Sequence, residues 1–173
     1  IVIVIAPEAP VPSVPEGLGS RVVIARDVAA HGGPLAGLAA GLAAMLTATD
    51  TPIRDEAPRI TGAGVKVAAT ARATAWWEAG WDGVVLVVGG DMPSLVPAVL
   101  RLLATTLAAD SSLAVMTLAA SDPAPLPMAV RPNAARAAID AILGSGGRRS
   151  LLALADAVPS ATLPADDWRA LDP

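Results

Sequence analysis

Apolar runs that alternate with helix-like stretches predict an α/β layered fold with a mostly parallel sheet. Two observations carry this. The runs IVIVI (1–5) and VVLVV (84–88) are continuous, not alternating, which is the pattern of strands covered on both faces. The chain is 54% hydrophobic yet has no Tyr and no Phe, so its core must be filled by Ala, Val, Leu and Ile with a few Trp. At 173 residues it is long enough for one domain with a sizeable core, and no internal repeat or second-domain boundary is visible.

The elements follow in order. Residues 1–5 read as a strand, and the proline-rich stretch 7–19 as an exposed loop, because proline suits neither helix nor central strand. RVVIARD (21–27) is a short strand ending in polar residues, 29–33 a turn, and Pro34 opens a helix to about residue 48. Proline is at home there, since the first helical N–H lacks a partner anyway. The polar, Pro- and Gly-broken stretch 50–64 reads as a loop, and 65–80 as a helix. A strand at 84–88 precedes a helix from Ser94 through 109 and a strand at 113–118. Pro123, Pro125 and Pro127 enclose a loop, MAVRP reads as a short strand, and helices are expected at 133–143 and 150–157. The tail ATLPADDWRALDP receives no assignment.

Composition removes several classes of function. A net charge of -4 without a basic run bearing interleaved aromatics argues against nucleic acid as a partner. The absence of Cys excludes disulfides, thiolate zinc sites and a Cys nucleophile, and a single His excludes a multi-His metal site within one chain. The uncharged stretch HGGPLAGLAAGLAAMLTAT starts with a Gly-Gly-Pro turn and is studded with Gly and Ala. It reads as a helix packed closely on a sheet, not as a membrane span. The first residues lack the positive n-region of a signal peptide, and a cytoplasmic protein fits the whole pattern. The sequence opens at Ile1 inside a strand, so the expectation is that it belongs to a longer polypeptide.

In parallel α/β sheets ligands bind beyond the carboxyl ends of the strands. That rule singles out Asp91, delivered by VVLVVGGDMP. A carboxylate there is a hard-oxygen ligand for Mg²⁺, which commonly takes one or two carboxylates plus substrate phosphates. The competing reading makes Asp91 the cap of the helix near Ser94, with Ser94 a rival for that job. Gly32 and Gly33 lead into a helix N-terminus, whose free N–H groups favour an anion or a polar base edge. Gly37 and Gly41, one turn apart, would let that helix approach a sheet or a nucleotide; plain α/β packing is the alternative. Asp27 ends its strand and could accept from a base or sugar, or be a solvated turn acid. His31 reads as an exposed loop histidine. Arg148 and Arg149 precede a helix, where the dipole does not favour cations, which makes a role towards phosphate oxygens worth weighing against ordinary flanking of the helix.

The order of these segments is more specific than any one of them. A strand ending in acid, then GGPLAGLAAGL, GGDMPSL, LPMAVRP and GGRRSLLALAD resembles the MobA-like nucleotidyltransferases, in particular their molybdenum cofactor guanylyltransferase branch. The resemblance implies a Rossmann-like nucleotidyltransferase three-layer sandwich. It also implies an Mg²⁺-dependent transfer of GMP from GTP to the phosphate of a molybdopterin acceptor, with release of pyrophosphate. By the same resemblance Asp91 matches the metal-binding acid, and Gly33, Pro34, Leu35, Ala36 and Gly37 match the segment beside the nucleotide. Asp27 falls near the base-reading position, and Arg148 and Arg149 fall on the pterin side. A cytidylyltransferase, transfer to another phosphorylated acceptor, and a non-catalytic nucleotide- or partner-binding relative are the alternatives.

Family members carry a glycine-rich loop with an Arg and a Lys after the first strand and an Asn-containing segment near the end. Neither pattern occurs here, and Lys66 is the only lysine. The expectation is that both phosphate-handling ends lie outside these 173 residues.

Overall fold

The computed structural model describes residues 1–14, 22–27, 32–48, 83–92, 94–120, 125–146 and 149–171, with the backbone alone at 46–48. The expected loop at 50–64 and helix at 65–80 lie outside them, as do His31 and Arg148. Contacts divide the chain into two compact units, Ile1–Gly32 with Ala36–Trp81 and Gly33–Leu35 with Asp82–Pro173.

In the first unit the opening apolar run becomes β1 (Val2–Ile5), paired in parallel with β2 (Val23–Arg26) from Val2↔Val23 to Ile5↔Arg26. The ladder continues one residue further, where the Asp27 N–H donates to the Ile5 carbonyl at 2.9 Å. Residues 7–14 form neither helix nor strand, as their prolines dictate. Helix α1 (Pro34–Ala48) starts at its proline. At Gly41 it lies so close to β1 that a Cβ would come 3.0 Å from Val4 Cγ2. Of the two partners the glycine pair could have served, Gly41 serves the sheet.

The second unit is built on a four-stranded sheet in the order β3 (Val85–Val87), β5 (Met128–Val130), β4 (Val115–Leu118), β6 (Ser160–Leu163). β4 and β6 pair in parallel, while β5 is antiparallel to both β3 and β4. Three strands therefore share a direction and β5 alone is reversed. All of Met128, Ala129 and Val130 have no exposed surface. Because successive side chains point to opposite faces, both faces of the sheet are covered there. One cover is α2 (Pro97–Ala109), whose Val99, Leu103 and Leu107 recur every fourth residue and form one buried face. Leu103 and Leu107 pack with Met116, Ala129 and Leu163 into an aliphatic core, as the lack of Phe and Tyr requires. Helices α3 (Pro132–Gly144) and α4 (Leu151–Ala157) pack on each other and bury Ala135, Ile139, Leu151 and Leu154.

Arg131, on the last turn before α3, is 5% exposed. Its Nη2 donates to the carbonyls of Leu107 at 2.8 Å, Ala108 at 3.1 Å and Asp110 at 3.4 Å. A cation is thus placed on the end of α2 where the helix leaves its carbonyls unpaired and its dipole is negative.

Some boundaries differ from expectation. The helix read from Ser94 begins at Pro97, after Val96 in an extended conformation (φ -89°, ψ 116°). A residue before proline is pushed out of the helical region, so Val96 cannot be a helical residue. The strand read from Leu113 starts at Val115, because the Leu113 N–H closes a turn on the Asp110 carbonyl. The unassigned tail forms β6 and a short α5 (Ala165–Arg169), with Asp166 and Asp167 in its first turn where the dipole favours them.

Candidate active site

Asp91 stands at the tip of a tight turn that leaves the end of β3. The Met92 N–H donates to the Gly89 carbonyl at 3.3 Å, closing the turn with Gly90 and Asp91 at its centre. The Gly89 N–H in turn donates to Met92 Sδ at 3.4 Å. Asp91 is exposed, and its carboxylate takes no hydrogen bond or ion pair among the described residues. A Cβ on Gly89 would fall 2.5 Å from Asp91 Oδ1, so the glycine is what lets the carboxylate fold back over the turn. At Gly90 a Cβ would meet nothing within 4 Å among the described residues. The capping alternative fails: α2 starts after Val96 with no side-chain cap, so neither Asp91 nor Ser94 serves it. Among the described residues no group of three or more acids or histidines could cage a metal. One open carboxylate suits Mg²⁺ held jointly with substrate phosphates, and does not suit an all-protein cage.

The glycine pair before α1 divides its work. Gly33 has φ +80°, a region that costs an L-residue with a Cβ about 1–2 kcal/mol. A Cβ there would also come 3.0 Å from the Arg149 carbonyl, so the turn into α1 and the segment leading into α4 touch through backbone. The structure therefore brings together Gly33 and Arg149, which the sequence had only placed in order. Gly32 makes room of a different kind: a Cβ would meet Ala36 Cβ at 2.8 Å and both carboxylate oxygens of Asp27 at 3.4 Å. Asp27 is half-buried at this spot. Leu35 is fully buried, Pro34 exposed, and Ala36 and Gly37 half-buried.

Arg149 is exposed and its Nη2 reaches the Leu143 carbonyl at 3.4 Å. The apparent conflict of a cation before α4 resolves here, because the guanidinium serves the C-terminal end of the preceding helix α3. Arg26, which had no assigned role, donates from Nη1 to the carbonyls of Ala6 at 3.2 Å, Pro7 at 2.7 Å and Ala9 at 2.9 Å. It fixes the loop that follows β1.

Beside the Asp91 turn lies a cavity of about 210 Å³, lined by Met92, Leu100, Leu118, Leu126 and Trp168 among others. The Trp168 Nε1–H donates to the Ala119 carbonyl at 3.1 Å, which fixes the indole against the end of β4. Sequence reading passed over this cavity. Its signal was present in Met92, inside the quoted motif, and in Trp168 of the unassigned tail.

A layered α/β fold with an acid on a glycine turn at a strand's carboxyl end defines a ligand-binding α/β protein. A family model for the MobA-like NTP transferase domain matches residues 1–160, running through both units, and the chain belongs to that family. It is accordingly a nucleotidyltransferase-type domain with a nucleoside triphosphate as substrate. Searches of curated proteins and of solved structures returned no match.

Proposed function

We propose that this chain is a guanylyltransferase that moves GMP from GTP to the phosphate of a molybdopterin acceptor. An oxygen of the acceptor phosphate attacks the α-phosphorus, the bond from that phosphorus to the bridging oxygen of the β-phosphate breaks, and pyrophosphate leaves. The observation that carries this reading is Asp91, which is exposed, unpaired among the described residues, and braced by Gly89 and Met92. Its carboxylate would hold Mg²⁺, and that ion, when bound, supplies charge neutralisation to the phosphates. By the family pattern, Gly33, Pro34, Leu35, Ala36 and Gly37 are assigned to the nucleotide, Asp27 to its base, and Arg148 and Arg149 to the acceptor. No side-chain nucleophile is required, in keeping with a chain that has no Cys.

Calorimetric titration with GTP, CTP and ATP, each with and without Mg²⁺, tests it. Selective, Mg²⁺-dependent binding of GTP that is lost in Asp91→Asn is the expected result. Selective CTP binding would make the protein a cytidylyltransferase, and equal binding by Asp91→Asn would remove the metal role. The alternative, a non-catalytic nucleotide-binding relative, differs in one outcome. Metal-dependent binding without pyrophosphate release in any acceptor assay would decide for that reading.

A further inference from the structure

The chain leaving β1 is fixed from β2. The Ala9 N–H donates to the Ala6 carbonyl at 3.1 Å, closing a turn with Pro7 at its second position, where the fixed φ of proline is favoured. The carbonyls that Arg26 Nη1 takes, those of Ala6, Pro7 and Ala9, all belong to this turn. Asp27, the next residue, stands on the other face of the strand pair. The ladder still holds at its level, since its N–H donates to the Ile5 carbonyl at 2.9 Å, and successive side chains of a strand point to opposite faces. The face of Asp27 is the one that α1 covers. A Cβ on Gly32 would meet both Asp27 carboxylate oxygens and Ala36 Cβ, and one on Gly41 would meet Val4 and Val2. Val2 and Val4 pair with Val23 and Ala25, which share the face of Asp27 by alternation. Arg26 leaves from the opposite face, and the turn after β1 is gathered on its guanidinium.

We propose that Arg26 is a positioning residue for base recognition: it holds the Ala6–Ala9 turn on its own side of the strand pair and so keeps the Asp27 carboxylate clear to accept from a nucleotide base. The proposal rests on the assignment of Asp27 to the base. Guanine offers a ring N–H and a 2-amino group along one edge, and a carboxylate accepts both with its two oxygens; hypoxanthine keeps the ring N–H and lacks the amino group. Without Arg26 the turn keeps only the hydrogen bond from Ala9 to Ala6 among the described residues, and it is free to move across the end of the strands. Arg26 is exposed, so its loss uncovers no core. The effect therefore falls on base selectivity and not on folding.

The test is calorimetric titration of the full chain with GTP and, separately, with ITP, both with Mg²⁺. The parent should prefer GTP about tenfold or more, the usual value of one hydrogen bond to a charged group. Arg26→Met keeps an unbranched side chain and removes its donors. It should bring that preference close to parity and speed exchange of the Ala9 N–H with deuterium. Arg26→Lys should restore both, because a single ammonium has three N–H groups for the three carbonyls. Should Arg26→Met fail to fold, Arg26→Leu replaces it with the same expectation. A folded Met or Leu variant that retains the preference overturns the proposal, even where both nucleotides bind more weakly, because Arg26 then acts on the phosphates or on the fold. Asp27→Asn separates the two readings. A preference that Asp27→Asn abolishes and Arg26→Met leaves intact overturns the role of Arg26 alone. A preference that survives Asp27→Asn, or a parent that binds both nucleotides alike or neither, overturns the assignment of Asp27 to the base and the role of Arg26 with it.

Discussion

Gly89 shows how a single atom can matter to a site without mattering to the fold. Its missing Cβ leaves room for Asp91 Oδ1, and that carboxylate is the free end of an exposed side chain. Gly89→Ala should therefore change stability by no more than about 0.5 kcal/mol, because the carboxylate can swing away. Metal-dependent nucleotide binding should fall about tenfold or more, the usual result of disturbing what orients a ligand; urea unfolding and calorimetry on one sample separate the effects. Asp110 gives a residue-scale effect of pH. The Ser112 hydroxyl at 2.6 Å and then the Ser112 N–H hold its carboxyl below the ordinary 3.8; desolvation opposes them, and the Arg131 charge adds the smallest lowering effect. A carboxyl with a lowered folded value stabilises the fold above its unfolded value, and that contribution is lost as pH falls through the folded one. Ser112→Ala should then unfold more readily than the parent at neutral pH, and the gap should close in acid below 3.8. A gap that stays constant across that range would show that the Ser112 contacts do not act through the charge.

Among the elements, α4 has a cap that can be tested directly. The Ser150 hydroxyl oxygen accepts the Ala153 N–H at 3.1 Å. Ser150→Ala should cost about 1 kcal/mol in denaturant unfolding, whereas Ser150→Asp should keep most of it. The same chemistry explains what could be read in advance. Helices whose first residue is proline, such as α1, announce themselves, because one residue both fixes φ and tolerates the lost donor. At α2 the proline was Pro97, and reading Ser94 as the start overlooked how it holds Val96 extended. β6 was not legible: Ser160, Ala161 and Thr162 form no apolar run, and the strand exists because it pairs with β4 from Val115↔Ser160 to Leu118↔Leu163. The position of Asp91 in a turn after a strand was legible because a continuous apolar run and two glycines precede it. The contact of Gly33 with the Arg149 carbonyl was not, since backbone approach between segments distant in sequence leaves no mark on residue type.

For the whole molecule, any ligand that binds only the folded chain raises its stability by mass action, about 2.7 kcal/mol at a hundredfold excess over Kd. In a chain of this length that corresponds to a rise in Tm of about 5–10 °C. Mg²⁺ with GTP should produce that rise, and either one alone, or both with Asp91→Asn, should not; a scan of the four samples decides it. The reversed direction of β5 has a consequence of another kind for this chain. β3 and β4 run towards the cavity and contribute their carboxyl-terminal side, Met92 after β3 and, for β4, its last residue Leu118 and then Ala120, whereas β5 runs away from it and contributes what comes before, Leu126 and Pro127. A motif search that inspects only the residues downstream of strands is blind to the upstream part of this wall. Changes at Met92 and at Leu126 alter one surface, and sequence variation at the two positions should be interpreted jointly.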